Sequence, residues 1–207
     1  IMQNRNILIL GRTGAGKRTV ANKIVDSNIF EPSISSMKSA TKEATFVTRT
    51  NVRDDDRKLL YNIAVLDTYS TETSGTKKIS QDVLGCHPED GPDGINLVIF
   101  VLRKGIYEDK ELQMFNSIIS DLNICDISAL VITGCESLED EERKDLVEEI
   151  KRESSTRSIA RSMGKGIFPV GFPPLDKVKA SYREIYQDGI AADSETLKDL
   201  AKNSGEV

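Results

Sequence analysis

Apolar residues gather in five short blocks along the chain: Ile7–Leu10, Ile63–Leu66, Leu97–Leu102, Ala129–Ile132 and Ile167–Val170. Most are continuous runs rather than alternations, the pattern of strands buried on both faces of a parallel sheet. The stretches between them carry a longer period. Glu108 to Leu122 brings Leu112, Phe115, Ile119 and Leu122 to one helical face, and Leu138 to Glu153 does the same for Leu146, Val147 and Ile150. Gly16 to Ser27 predicts a further helix directly after the first block. Alternation of this kind predicts a three-layer, doubly wound α/β domain with right-handed connections.

One stretch departs from the alternation. Thr41 to Asn51 is rich in Thr and Val, Arg57 to Leu66 is again strand-like, and Asp54-Asp55-Asp56 separates them. An antiparallel hairpin adding one edge strand to a mostly parallel sheet is expected. The acidic triplet is expected as a solvated hairpin tip rather than a cation site. After Pro173-Pro174, two polar helices are predicted, Asp176 to Gln187 and Asp193 to Asn203. They form a C-terminal helical extension packed on the domain, which divides the chain into 1–175 and 176–207. The chain then stops without a clear end signal, so it is expected to be the globular part of a longer protein.

Composition narrows the function. A chain of 207 residues, 38% hydrophobic and 29% charged, supports one domain with a sizeable core. Lys and Arg total 28 against 33 Asp and Glu, a net charge of -5, so no overall basic field holds nucleic acid or an anionic membrane. Aromatic residues are 5% and Trp is absent, which argues against a stacking platform for single strands. Cys86, Cys125 and Cys135 are an odd number and widely spaced; free thiols in a reducing, cytoplasmic setting are expected. His87 stands alone, so zinc chemistry lacks ligands. The longest apolar run, Leu97–Leu102, is too short to cross a bilayer.

The chemistry begins where the first strand meets the first helix, at Gly11-Arg12-Thr13-Gly14-Ala15-Gly16-Lys17-Arg18-Thr19. Gly11, Gly16 and Lys17 satisfy G-x-x-x-x-G-K. Glycines let successive amides turn inward on a phosphate, the helix N-terminus adds its dipole, and Lys17 reaches the outer phosphates. Phosphate contacts are expected from Arg12 to Thr19. The motif asks for Ser or Thr after the lysine, as a magnesium ligand; Arg18 stands there instead. Arg18 either reaches phosphate oxygens with its own donors or points to solvent. Thr19 lies about 100° further round the helix and points elsewhere.

Two more strand ends carry candidates. Asp67, closing Ile63-Ala-Val-Leu-Asp67-Thr68, occupies the place from which an acid holds magnesium in phosphate-loop enzymes. The usual glycine three residues on is missing, because Ser70 is there. Thr133-Gly134-Cys135-Glu136 follows the fourth block. A carboxylate at Glu136 can accept both the ring N–H and the exocyclic amine of guanine. Ser137 is expected to cap the next helix, with Asp140 completing the cap.

Together these segments resemble the GTPases of immunity-associated proteins, the GIMAP or immune-associated nucleotide-binding family, related to septins and to the chloroplast import GTPases. The resemblance runs from about Asn6 to about Leu175. It rests on Gly-Arg-Thr-Gly-Ala-Gly-Lys at 11–17, Ser39-Ala40-Thr41-Lys42, Asp67-Thr68, and Thr133 to Glu136. It rests further on the box beginning Gly91-Pro92-Asp93-Gly94, a strand, and then Tyr107-Glu108-Asp109-Lys110-Glu111. The resemblance implies a septin-like G domain of the phosphate-loop GTPase kind, binding of GTP or GDP with Thr133 and Glu136 at the base, and dimerisation through the nucleotide face. It also implies that Thr41 and Asp67 serve magnesium and the terminal phosphate.

Two departures bear on catalysis. Arg18 replaces the magnesium-binding hydroxyl, and Tyr69-Ser70 replaces the Pro-Gly of the second switch. Arg103 and Lys104 both fall where the family places a trans-acting arginine. A switch or scaffold with weak hydrolysis and weakly bound Mg²⁺ is therefore expected. A competent GTPase and a nucleotide-free interaction scaffold are the alternatives. The membrane-anchoring tail of many members is not in this chain.

Overall fold

The computed structural model describes residues 3–30, 47–56, 58–68 and 94–205. Six strands make one sheet: β1 (Gln3–Gly11), β2 (Val47–Asp54), β3 (Leu59–Asp67), β4 (Leu97–Arg103), β5 (Ser128–Thr133) and β6 (Gly166–Pro169). Their order is β2-β3-β1-β4-β5-β6. β2 runs antiparallel to β3 and every other pairing is parallel. Helices are α1 (Lys17–Val25), α2 (Asp109–Leu122), α3 (Asp140–Arg152), α4 (Arg157–Arg161) and α5 (Arg183–Lys202). This is the doubly wound α/β architecture with one antiparallel edge hairpin. Asp54 to Asp56 sit at the hairpin tip; Thr41 to Phe46 lie outside the described residues.

Continuous apolar runs suit the central strands because each face of the sheet is covered. Ile7 and Ile9 of β1 pack with Val20, Ala21 and Ile24 of α1 and with Leu197, Leu200 and Ala201 of α5. Leu8 and Leu10 pack on the opposite face with Leu112, Phe115 and Ile119 of α2 and Ile150 of α3. β4 and β5 divide in the same way, Ile99 and Val131 to one core, Phe100 and Leu130 to the other. The Phe100 and Phe115 rings meet at 4.8 Å between centroids, tilted by 55°. Among the described residues no helix is long and apolar enough to cross a membrane.

Two local expectations need correction. The C-terminal segment forms one helix, α5, preceded by a 3-10 turn at Ala180–Tyr182, where two helices were expected. Gly189 suggests a break, and a mid-helix glycine costs about 1 kcal/mol. The helix runs through it because Asp193, Leu197, Leu200 and Ala201 are all buried against the domain. The second correction concerns α3, whose cap is Glu139 rather than Ser137. Glu142 reaches back to the Glu139 N–H at 2.8 Å in a reciprocal capping box. The Leu138 N–H donates to the Cys135 carbonyl at 3.1 Å, closing a turn that holds Ser137 before the helix begins.

Candidate functional site

Loops from β1, β3, β4 and β5 converge on the carboxyl edge of the sheet. The Thr68 N–H donates to the Gly11 carbonyl at 3.0 Å, and the Lys104 N–H to the Thr133 carbonyl at 2.9 Å. The loop after β1 turns into α1 at Gly16, whose φ of 99° lies in the left-handed region. A Cβ there would fall 3.1 Å from Thr133 Cγ2, so the close seat on β5 requires glycine. Thr133 Oγ1 donates to the Ala15 carbonyl at 2.6 Å, so this threonine holds the loop onto β5.

Gly16 is the N-cap of α1, no side chain caps the helix, and its first turn carries no acid. The first amides and the positive end of the dipole therefore face the loop without a side-chain anion, the arrangement that receives phosphate. Lys17 leaves the same turn with only 7% of its side chain exposed. Its Nζ donates to the Arg12 carbonyl at 2.7 Å and stands 3.8 Å from Asp67 Oδ2. Burial pulls the Lys17 ammonium below its ordinary range, against the opposing charges of Asp67 and Glu111. An anionic ligand would stabilise that ammonium.

The other loop side chains are distributed around Lys17. The Thr13 hydroxyl donates to Asp67 Oδ2, which lies beside Gly11 in the β1–β3 register. The Arg12 guanidinium pairs with Glu108, and the Arg12 N–H donates to Glu111 Oε1 at 2.9 Å. Ala15 is buried, Gly14 and Thr19 are exposed, and Arg18 is half-buried. Glu136 stands further along the same edge, half-buried, and lines a cavity of about 480 Å³ with Leu138, Arg143, Pro173 and Tyr186.

The structure thus brings together residues 12–19, Asp67 and Thr133, while Glu136 lines a separate cavity three residues beyond Thr133. Thr41, Tyr69-Ser70 and Gly91 to Asp93 lie outside the described residues. The donor set suits phosphate throughout and a divalent cation in part. Asp67 supplies one carboxylate, as Mg²⁺ sites on nucleotides use, while position 18 supplies a guanidinium. Among the described residues no group of three His, Cys, Asp or Glu side chains converges on a metal position.

Three contributors were not singled out from sequence: Glu111, Arg143 and Asp193. Each is a charged residue on the inward stripe of a helix. Glu111 precedes Phe115 and Ile118 at helical spacing, Arg143 precedes Leu146 and Ile150, and Asp193 precedes Leu197 and Leu200. A charge in an apolar stripe was the available signal.

Solved structures share this fold at low identity. A bacterial dynamin GTPase from ETEC, LeoA, aligns with a TM-score of 0.57 and 12% identity over 97% of the chain, which spans 37% of the dynamin's length. Toc33 from Arabidopsis thaliana, solved with GDP and Mg²⁺, aligns at 0.56 with 14% identity over 99% of this chain and 85% of its own. Toc33 with Mg²⁺ and GMPPNP gives 0.54, 14% identity, and 98% and 85% coverage. No single curated protein matches the chain by sequence. The sequence pattern of the AIG1 family does match, over residues 5–165. That span carries the 11–19 loop, Asp67, the Glu111 contact and Glu136 around a single sheet, and on it the chain belongs to the AIG1 family.

Proposed function

We propose that the chain binds GTP or GDP, with the 11–19 loop on the phosphates and the Thr133–Glu136 segment at the base. It acts as a switch or scaffold of the GIMAP type with weak hydrolysis. The observation that carries this reading is Lys17, an ammonium 7% exposed beneath an uncapped helix N-terminus. A buried cation at that position is stabilised by an anion, and a nucleotide phosphate supplies one. Membership of the AIG1 family and the nucleotides named in the Toc33 structures support the same ligand class. Guanine preference rests on Glu136, whose carboxylate can pair with two donors that adenine lacks.

Weak turnover follows from position 18. Mg²⁺, when bound, neutralises charge on the outer phosphates. Arg18 removes a hydroxyl ligand from that metal and places a fixed positive charge beside it. Calorimetry of the metal-free chain with GTP, GDP and ATP tests the reading, with guanine nucleotides binding more tightly. Glu136→Ala is expected to weaken GTP and GDP by a similar factor without unfolding the domain. Equal affinity for ATP and GTP refutes base recognition, and no binding at all leaves the nucleotide-free scaffold.

Self-association through the nucleotide face is part of the proposal. A two-fold dimer there would bury the loops around Thr41, Asp67 and the Gly91–Gly94 box in a self-complementary patch. Charge-reversal substitutions throughout those loops should dissociate any such dimer in sedimentation velocity; persistence of the dimer refutes this surface.

A further inference from the structure

Arg143 of α3 directs its guanidinium at main-chain carbonyls of two different loops. Nε donates to Leu138 O at 3.3 Å and Nη2 to Cys135 O at 3.2 Å, one on each side of Glu136 and Ser137. Nη1 donates to Pro169 O at 3.4 Å, at the end of β6. The same guanidinium is held by Asp193 of α5 through two bonds, at 2.6 and 3.1 Å. Asp193 Oδ2 also accepts the Gly171 N–H at 2.8 Å. The two loops touch directly as well. The Cys135 N–H donates to Val170 O at 3.1 Å, and a Cβ on Gly171 would fall 2.3 Å from the Glu136 main chain.

The Cys135 and Leu138 carbonyls lie past the end of β5, and Pro169 is the last residue of β6. One guanidinium bridges all three, and a carboxylate on the last helix holds that guanidinium. An ion pair of this burial, 20% exposed at Arg143 and 8% at Asp193, is weak evidence for stability, because apolar replacements of similar volume often match it. What apolar residues cannot supply is the set of bonds that fixes the 135–138 and 169–171 segments against each other. Gly171 and Asp193 both lie beyond the span matched by the AIG1 family.

We propose that the Arg143–Asp193 pair is a positioning element for base recognition: it fixes the loop that carries Glu136, so the seating of α5 sets guanine selectivity. The proposal rests on the reading that Glu136 meets the base. Displacing a recognition group by about 1 Å typically costs up to about a hundredfold, without touching distant contacts.

The test uses the whole chain as Arg143→Lys, Asp193→Asn and the apolar double variant Arg143→Met with Asp193→Leu. Fluorescent GDP, ADP and inorganic pyrophosphate are the probes, and thermal melting reports folding. GDP affinity is expected to fall about tenfold or more and the GDP-over-ADP ratio to narrow, with pyrophosphate affinity within about twofold of the parent. On a Glu136→Ala background the same substitutions should change GDP affinity by less than about twofold, because their effect runs through that residue. Equal losses of GDP and pyrophosphate overturn the proposal, as does an undiminished effect on the Glu136→Ala background. Failure of Arg143→Lys and the double variant alike to fold assigns the pair to folding and also overturns it. A parent that binds GDP and ADP equally overturns the reading of Glu136 itself. A parent whose guanine preference survives Arg143→Lys overturns the positioning role alone.

Discussion

The main-chain N–H of Arg12 donates to Glu111 Oε1 at 2.9 Å, so the phosphate loop is held from above by the first turn of α2 as well as from below by Thr133. Glu111 is 6% exposed, and its Oε2 has no hydrogen-bond partner among the described residues. The Arg12 side chain extends the same clamp to Glu108. Any movement of α2 is therefore felt at the loop backbone.

Removing the clamp should loosen the loop. Glu111→Ala leaves the Arg12 N–H without its acceptor in a dry site, a loss of about 1–3 kcal/mol. For a chain of this size that corresponds to a melting point lower by several degrees. Affinity for fluorescent GDP should fall with it, because the amides of the loop are no longer held in place. Glu111→Gln keeps an acceptor at the same position and should recover most of both. An alanine variant with unchanged melting point and affinity would show that the contact carries nothing.

The same carboxyl predicts a pH dependence. Burial raises the Glu111 pKa from its ordinary value of 4.5, against the Arg12 N–H and the charges of Arg12 and Lys17, while Glu108 reinforces it. A carboxyl raised in the fold holds its proton longer there than in the unfolded chain. Its contribution to stability is therefore fully present below 4.5 and is lost as pH rises through the folded value. Urea midpoints of the parent and of Glu111→Gln, taken from pH 4.5 upward, should diverge in slope, with the glutamine variant flatter. Parallel curves would assign the proton elsewhere.

The fold and the local geometry of the 11–19 loop were legible for different reasons from the rest. Ile7–Leu10 and Leu97–Leu102 are buried on both faces, so no competing period hides the strand signal. Gly16 and Lys17 are read from spacing because the loop's chemistry is local. The contacts of Glu111, Arg143 and Asp193 were not legible, since each depends on a partner from a distant segment: Arg12, the Cys135 and Pro169 carbonyls, and Gly171. Sequence places these charges on apolar stripes but does not say what they meet. The expectation of two C-terminal helices failed for the same reason: tertiary burial at Asp193 and Leu197 overrides local propensity and carries α5 through Gly189.

Cys135 sits inside the candidate base motif and should nonetheless be chemically silent. It is fully buried, its thiol donates weakly to Ile132 O at 3.4 Å, and burial pushes its pKa up to about 11. At pH 8 only about one thiol in a thousand would be ionised. Labelling with a maleimide and peptide mapping should find Cys135 protected in the native chain and the half-buried Cys125 modified before it. Rapid native labelling of Cys135 would mean that the 133–138 segment opens far more readily than its bonds imply.

Arg18 carries the last prediction. It follows Lys17 in the first turn of α1, and its charge joins burial in lowering the Lys17 pKa, against the opposing carboxylates of Asp67 and Glu111. Two positive side chains thus already share the turn that should face the outer phosphates. A divalent cation arriving there would add a third centre of like charge a few ångströms away, a repulsion of several kcal/mol in a partly shielded site. Phosphate binding need not suffer, because the amides and Lys17 remain. Hydrolysis should, since a metal that neutralises developing charge is worth several kcal/mol of the barrier. Nucleotide affinity is therefore expected to change little when Mg²⁺ is chelated, with turnover near background. Arg18→Ser removes the repulsion and restores a hydroxyl, so chelation should then weaken binding markedly. Turnover should recover only in part, because Ser70 still replaces the second-switch glycine. Brisk, magnesium-dependent hydrolysis by the parent chain would show that Arg18 and the metal coexist, and this account of position 18 would fall.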